Sequence, residues 1–185
     1  MPVTSRIEQA RDEIVTEFEG ITSALGYRTD PTVLSTINPI DRIRKFPEIG
    51  IELGDITIEP IDQSWVVHNV RADVWIQGAV QSDTDTGTEA TNINEAAEAL
   101  RHDIMRKAGE LLNKFLTHSG SRWNIVPDRP ITCSTLQLLG ERRNRGVFFA
   151  KFQVMVRSTN NTFTATVSGG DDGPSADVII DGNAV

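Results

Sequence analysis

Apolar residues recur along this chain with two different periods, and each change of period marks a new element. Ile7, Ala10, Ile14, Phe18, Ile21 and Leu25 follow one another at spacings of three and four. That spacing lines one face of a helix. Ser5 with Glu8 three positions later forms a capping box. Gly26 suits the left-handed position after a last turn. A helix is therefore predicted from Arg6 to Leu25.

The period then shortens to two. Pro31, Pro39 and Pro47 break any regular element over residues 27–47. Ile49, Ile51 and Leu53 alternate up to Gly54-Asp55, and Ile56 and Ile58 alternate from there to Pro60. Gly54-Asp55 reads as the turn of a short hairpin. A longer alternating stretch runs from Trp65 to Gln81. Val66, Val70, Ala72, Val74, Ile76 and Val80 share one parity; Trp65, Asn69, Arg71, Asp73, Trp75, Gln77 and Gln81 share the other. One face should meet a core and the other solvent or a partner. His68 and Asn69 could mark a turn or bulge that divides this stretch.

Residues 82–91 hold no large apolar side chain and read as a mobile loop. Ala96, Ala97, Leu100, Ile104, Ala108, Leu111, Leu112 and Phe115 then restore the helical stripe. This predicts a helix near Asn92 to Thr117, roughly 24 residues or about 36 Å long. Gly109 is a mild weakness inside it. After Pro127 and Pro130, Ile131–Leu139 reads as a strand, 140–146 as a turn and Val147–Arg157 as its antiparallel partner. Phe148, Ala150, Phe152, Val154 and Val156 face one way; Lys151, Gln153 and Arg157 face the other.

From Ser158 the pattern dissolves into Thr, Asn, Gly and Asp. Two β-prone patches remain, Phe163 to Val167 and Val178 to Ile180. The chain thus divides into a domain over 1–158 and an acidic extension over 159–185. The extension is too short to fold alone. It is either a flexible tail or an arm that docks by adding a strand to a neighbour.

Composition narrows the function classes. A length of 185 residues suits one domain with a real core. A net charge of -8 argues against nucleic-acid binding by the whole surface. Fourteen of the eighteen basic residues are Arg, the cation favoured at interfaces; a GC-rich genome would produce the same bias. One cysteine, Cys133, excludes an intrachain disulfide. Neither a secretory signal nor a membrane-spanning run is visible, so a reducing cytoplasm is the expected place of synthesis.

No catalytic constellation is legible. His68, His102 and His118 are scattered, and Glu98 with His102 supplies only two of the three ligands a catalytic zinc needs. Cys133 sits among Ser and Thr without a positioned base. The run from Asp83 to Glu89 departs from a calcium loop in both its glycine and its twelfth residue. No phosphate loop or nucleophile elbow is present. The chain is read as a non-enzyme, with no cofactor or metal. The candidate interface residues are Arg142, Arg143 and Arg145, three cations in one predicted turn, and the Trp65–Trp75 pair on the outward parity. The Arg turn is a solvated tip, a protein contact or a phosphate contact. The Trp pair is a contact surface unless helices cover both sheet faces.

The order of elements resembles a known family. It comprises an N-terminal helix, a Phe46–Ile49 segment leading into short strands, and an alternating strand ending in Val74-Trp75-Ile76. A polar loop, a long helix from Ala96 to Leu116 and a closing strand from Phe148 to Val156 follow. Over about residues 5–158 this is similar to the tail terminator, or tail completion, proteins of long-tailed bacteriophages. The resemblance implies an α+β fold, with two main helices packed on one face of an antiparallel or mixed sheet. It implies a virion protein in the tail or neck, made in the host cytoplasm. It implies a hexameric ring that ends tail-tube polymerisation and meets head-completion or neck proteins, with DNA passing through the lumen without sequence-specific binding. It carries no membrane contact and no catalytic residues. The alternatives are another neck or tail-tube component, or a small ligand-binding α/β domain. The extension after Ser158 departs from the compact form of the family.

Overall fold

The computed structural model describes residues 6–60, 67–82, 89–117, 124–126, 129–139 and 144–159. Helix α1 spans Arg6–Glu19 and α2 spans Glu89–Thr117. The strands are β1 (Thr32–Leu34), β2 (Glu48–Pro60), β3 (Val67–Gln81), β4 (Asn124–Ile125), β5 (Thr132–Cys133), β6 (Gln137–Leu139) and β7 (Arg145–Thr159). Together they make the α+β fold that was expected. The sheet runs β1-β2-β3-β7, with β4, β5 and β6 sharing the outer edge of β7. All pairings are antiparallel except β1 with β2, so the sheet is mixed.

Both helices lie on one face, because only one parity of each long strand is apolar throughout. Ala72, Val74, Ile76 and Val80 of β3 meet Phe148, Ala150, Phe152, Val154 and Val156 of β7 in one core. Ile7, Ala10, Ile14 and Phe18 of α1 cover it on the β1–β2 side, and Ile93, Ala97, Leu100, Ile104, Ala108 and Leu111 of α2 cover β3 and β7. The two periods read from the sequence thus meet in a single helix-on-sheet layer.

Several boundaries differ from expectation. The first helix ends at Glu19, not Leu25. Gly20 and Ile21 close it with bonds to Glu17 and Phe18, one residue tighter than α-helical. A separate short 3₁₀ turn, Ser23–Leu25, follows, and Gly26 ends it at φ 80°. Ile21 stays in the core, whereas Leu25 is 65% exposed. Gly54-Asp55 is not a turn. β2 continues through it, and the register with β3 shifts between Leu53 and Ile56. Two residues of β2 therefore oppose Asp73 alone, which is a bulge. Its effect is to keep Leu53, Ile56 and Ile58 on one face, opposite Val74, Ala72 and Val70.

His68 and Asn69 divide nothing, since β3 pairs with β7 without a shift from Val67↔Thr159 to Gln81↔Arg145. Glu89–Thr91, expected as loop, belongs to α2. The strand expected over 131–139 is two pieces, β5 and β6, separated at Ser134–Leu136. There Phe149 donates its N–H to the Ser134 hydroxyl, and Ser134 donates its own N–H to the Phe149 carbonyl. Ser5, Asp83, His118, Trp123, Pro127 and the extension beyond Thr159 lie outside the described residues.

The parallel β1–β2 pair demands a connection that crosses a face of the sheet. With helices on one face, residues 35–47 cross the other. Ile43, with Ile40 and Phe46, packs there on Ala79 and Val147 in a second, smaller core. Asn38 donates to the buried Glu48 carboxylate at 3.2 Å.

The turn after α1 is fastened to α2 by polar contacts. Asp103 is fully buried, and its Oδ2 accepts from Arg28 N, Thr29 N and Thr29 Oγ1 at 2.8–2.9 Å. Arg106 donates to the Gly26 carbonyl at 2.8 Å and stacks 4.3 Å over the Tyr27 ring. The Tyr27 hydroxyl donates to Glu110 at 2.5 Å. Burial, then the Glu110 hydrogen bond and charge, push the Tyr27 phenol from 10.0 up to about 12, with Arg106 opposing. The fold therefore favours neutral Tyr27. That contribution is complete below pH 10 and is lost as pH rises through about 12. Wild type should lose stability over this window more steeply than Tyr27→Phe, measured by urea unfolding at stepped pH. Equal slopes would remove Tyr27 as the titrating group.

Candidate interaction face

The sheet face opposite the helices is the candidate site. At one end the 35–47 crossover buries it. At the other it lies open, because nothing among the described residues crosses it there. The register sets a row across this open part: Glu52 of β2, Trp75 of β3, Lys151 of β7 and Thr132 of β5. The next row holds Asp73 and Gln153. Outward parity in β3 and β7 is thus turned into neighbours by the pairing.

Trp75 is 38% exposed on this face. Its indole lies across the bulge in β2. A Cβ on Gly54 would come within 2.5 Å of the Trp75 Nε1, so the bulge glycine leaves the room the ring occupies. Lys151 Nζ sits 4.9 Å from the Trp75 ring centre and 2.5 Å from Asp73 Oδ2. Gln153 donates to the other Asp73 oxygen at 3.1 Å. The carboxylate is therefore paired on both oxygens. A shallow concavity of about 440 Å³ adjoins this cluster, bordered by Asp73, Lys151, Gln153, Thr132, Arg129 and Pro130. An aromatic plate beside a paired charge and a polar hollow is the chemistry of a contact surface.

Of the expected interface residues only Arg145 and Trp75 are described, and these two lie apart. Arg145 begins β7, six residues from Lys151, which is about 20 Å along a strand. Its Nε donates to Gln81 Oε1 at 3.1 Å, and its guanidinium lies 5.5 Å from the Phe46 ring. The one described cation of the Arg turn is thus bound onto the sheet end. Arg142, Arg143 and Trp65 lie outside the described residues. Asp73, Lys151 and Gln153 were legible only as outward-facing positions. Their joining around Trp75 depends on the β3–β7 register, which no local pattern specifies.

The other candidates resolve into local packing. Glu98 pairs with Arg101 at 2.6 Å, and His102 Nδ1 lies 3.4 Å from Asp103. Cys133 is half-buried in β5, and its sulfur, with Glu98, holds the Arg101 pKa above its ordinary value against the opposing effect of burial. Among the described residues no group of three His, Cys, Asp or Glu has metal-holding geometry. No described helix is long and apolar enough to cross a membrane.

No protein-family model and no curated protein matches this chain.

Proposed function

We propose that this chain is a structural virion protein of the tail-terminator kind. It forms a ring, hexameric by resemblance, that ends growth of the tail tube and joins the tail to head-completion or neck proteins. DNA passes through the lumen without sequence-specific contact. The reading places the protein in the tail or neck of the particle.

One observation carries this reading: both helices stack on a single face, and among the described residues the other face is partly open and the outer edge of β2 beyond Gly50 has no strand partner. A closed ring needs two dissimilar surfaces on each copy, since every subunit meets the next head to tail. The Trp75–Lys151 row and the outer edge of β2 are two such dissimilar surfaces, the first a sheet face and the second a strand edge. A strand edge is a hazard in a monomer and an asset in an assembly.

Native mass spectrometry with electron microscopy across a concentration series tests the proposal. The expected particle is a closed six-fold ring that does not stack. Open-ended tubes would overturn the reading in favour of a tail-tube protein.

A further inference from the structure

β2 is thirteen residues long, yet β1 pairs only with Glu48, Ile49 and Gly50. From Ile51 to Pro60 its outer edge has no strand partner among the described residues. Past the bulge, Ile56 and Ile58 continue the helix-side face of the sheet, opposite the buried Ala72 and Val70. They are nevertheless 47% and 41% exposed. An unpaired edge is thus flanked by an apolar shelf. Its charges are acidic: Glu52, Asp55 and Glu59, the last paired with Arg71 at 2.9 Å.

The chain itself carries a segment of matching pattern. Residues 162–167 read Thr-Phe-Thr-Ala-Thr-Val. As a strand, this puts Phe163, Ala165 and Val167 on one face and three Thr on the other. It carries no charge. The second β-prone patch, Val178 to Ile180, is flanked by Asp177 and Asp181 and would set like charges against the edge.

The reach of the chain selects between its own sheet and a neighbour's. β7 ends at Thr159, and Ser158 stands in the same row as His68 and Pro60. The far side of β2 is three strand spacings away, about 14 Å. Four links from Thr159 to Phe163 span at most about 14 Å when fully extended. No length is left to round the sheet end, where the β2–β3 connection also departs. A neighbouring copy imposes no such limit.

We propose that the edge of β2 from Ile51 to Pro60 is a docking site for residues 162–167 of a second copy of this chain. The arm adds a strand, its backbone satisfies the open edge, and Phe163, Ala165 and Val167 cover Ile56 and Ile58. This deepens the ring reading and rests on it in one respect, that copies of the chain meet.

The test uses the full chain with Cys133→Ser, Ala165→Cys and either Ile56→Cys or Ile58→Cys. Mild oxidation followed by non-reducing electrophoresis should give covalent dimers and a ladder above them in at least one pair. Adding Phe163→Asp should abolish the ladder and weaken self-association about tenfold, or ~1.4 kcal/mol. A disulfide confined to a fast-migrating monomer would assign the edge to the chain's own tail and overturn the proposal. Multimers by native mass without a cross-link in either pair would overturn the arm alone. A monomer at every concentration would overturn arm and ring together.

Discussion

Gly78→Ala is expected to cost about 2–3 kcal/mol, read as a lower urea midpoint at unchanged slope. Gly78 lies within β3, opposite Ile49 of β2 and Phe148 of β7. Its missing side chain would point into the main core, where the Phe148 ring already lies. A Cβ there would sit 2.2 Å from Phe148 Cζ. Phe148 is fully buried, so its ring has no solvent to retreat into. Cores are packed like crystals, and an added methyl forces neighbours off their rotamers. Removing the ring instead is worse, with Phe148→Ala expected to cost about 3–5 kcal/mol. The two sites should be coupled. Phe148→Leu opens space beside Gly78, so the double variant should be more stable than the sum of the single costs by about 1 kcal/mol or more. Simple additivity would show that the alanine acts on the strand backbone and not on the ring.

Asp103→Ala should cost about 2–3 kcal/mol, because one buried carboxylate satisfies three donors of the turn after α1. Two of these are backbone N–H groups, of Arg28 and Thr29, in a segment with no regular structure of its own. Hydrogen bonds to a charged acceptor are the strong kind. The loss should also be local. Hydrogen exchange at the Arg28 and Thr29 amides should rise well above the change in global stability. The Ile104 and Ala108 amides of α2 should follow global stability alone. Unchanged exchange at the turn would mean that Arg106 and Glu110 hold it without Asp103.

The core was legible because it obeys one-dimensional rules. Apolar residues at spacings of three and four marked both helices, and alternation marked β3 and β7, down to which parity faces inward. The errors share a cause. Gly54-Asp55 carries the chemistry of a turn and was expected to reverse the chain. What keeps β2 straight is the continuous partner strand β3, whose pairing rewards a bulge over a reversal. Leu25 stands at helical spacing, but Gly20 interrupts the helix before reaching it. Glu89–Thr91 looks like loop by composition, yet it joins a helix whose stability comes from packing further along.

By itself, then, the sequence determined the element types and the buried parity of each long strand. These depend on neighbours a few positions apart, and local sterics with apolar burial decide them. Tertiary structure alone decided that β2 and β3 form the central hairpin and that the 35–47 crossover closes one end of the second face. It also decided that Trp75, Asp73, Lys151 and Gln153 become one cluster, and that among the described residues the outer edge of β2 beyond Gly50 has no strand partner. Each of these depends on strand register between residues as far apart in sequence as Asp73 and Gln153. Register is set by how two patterned strands align their inward faces over one shared core.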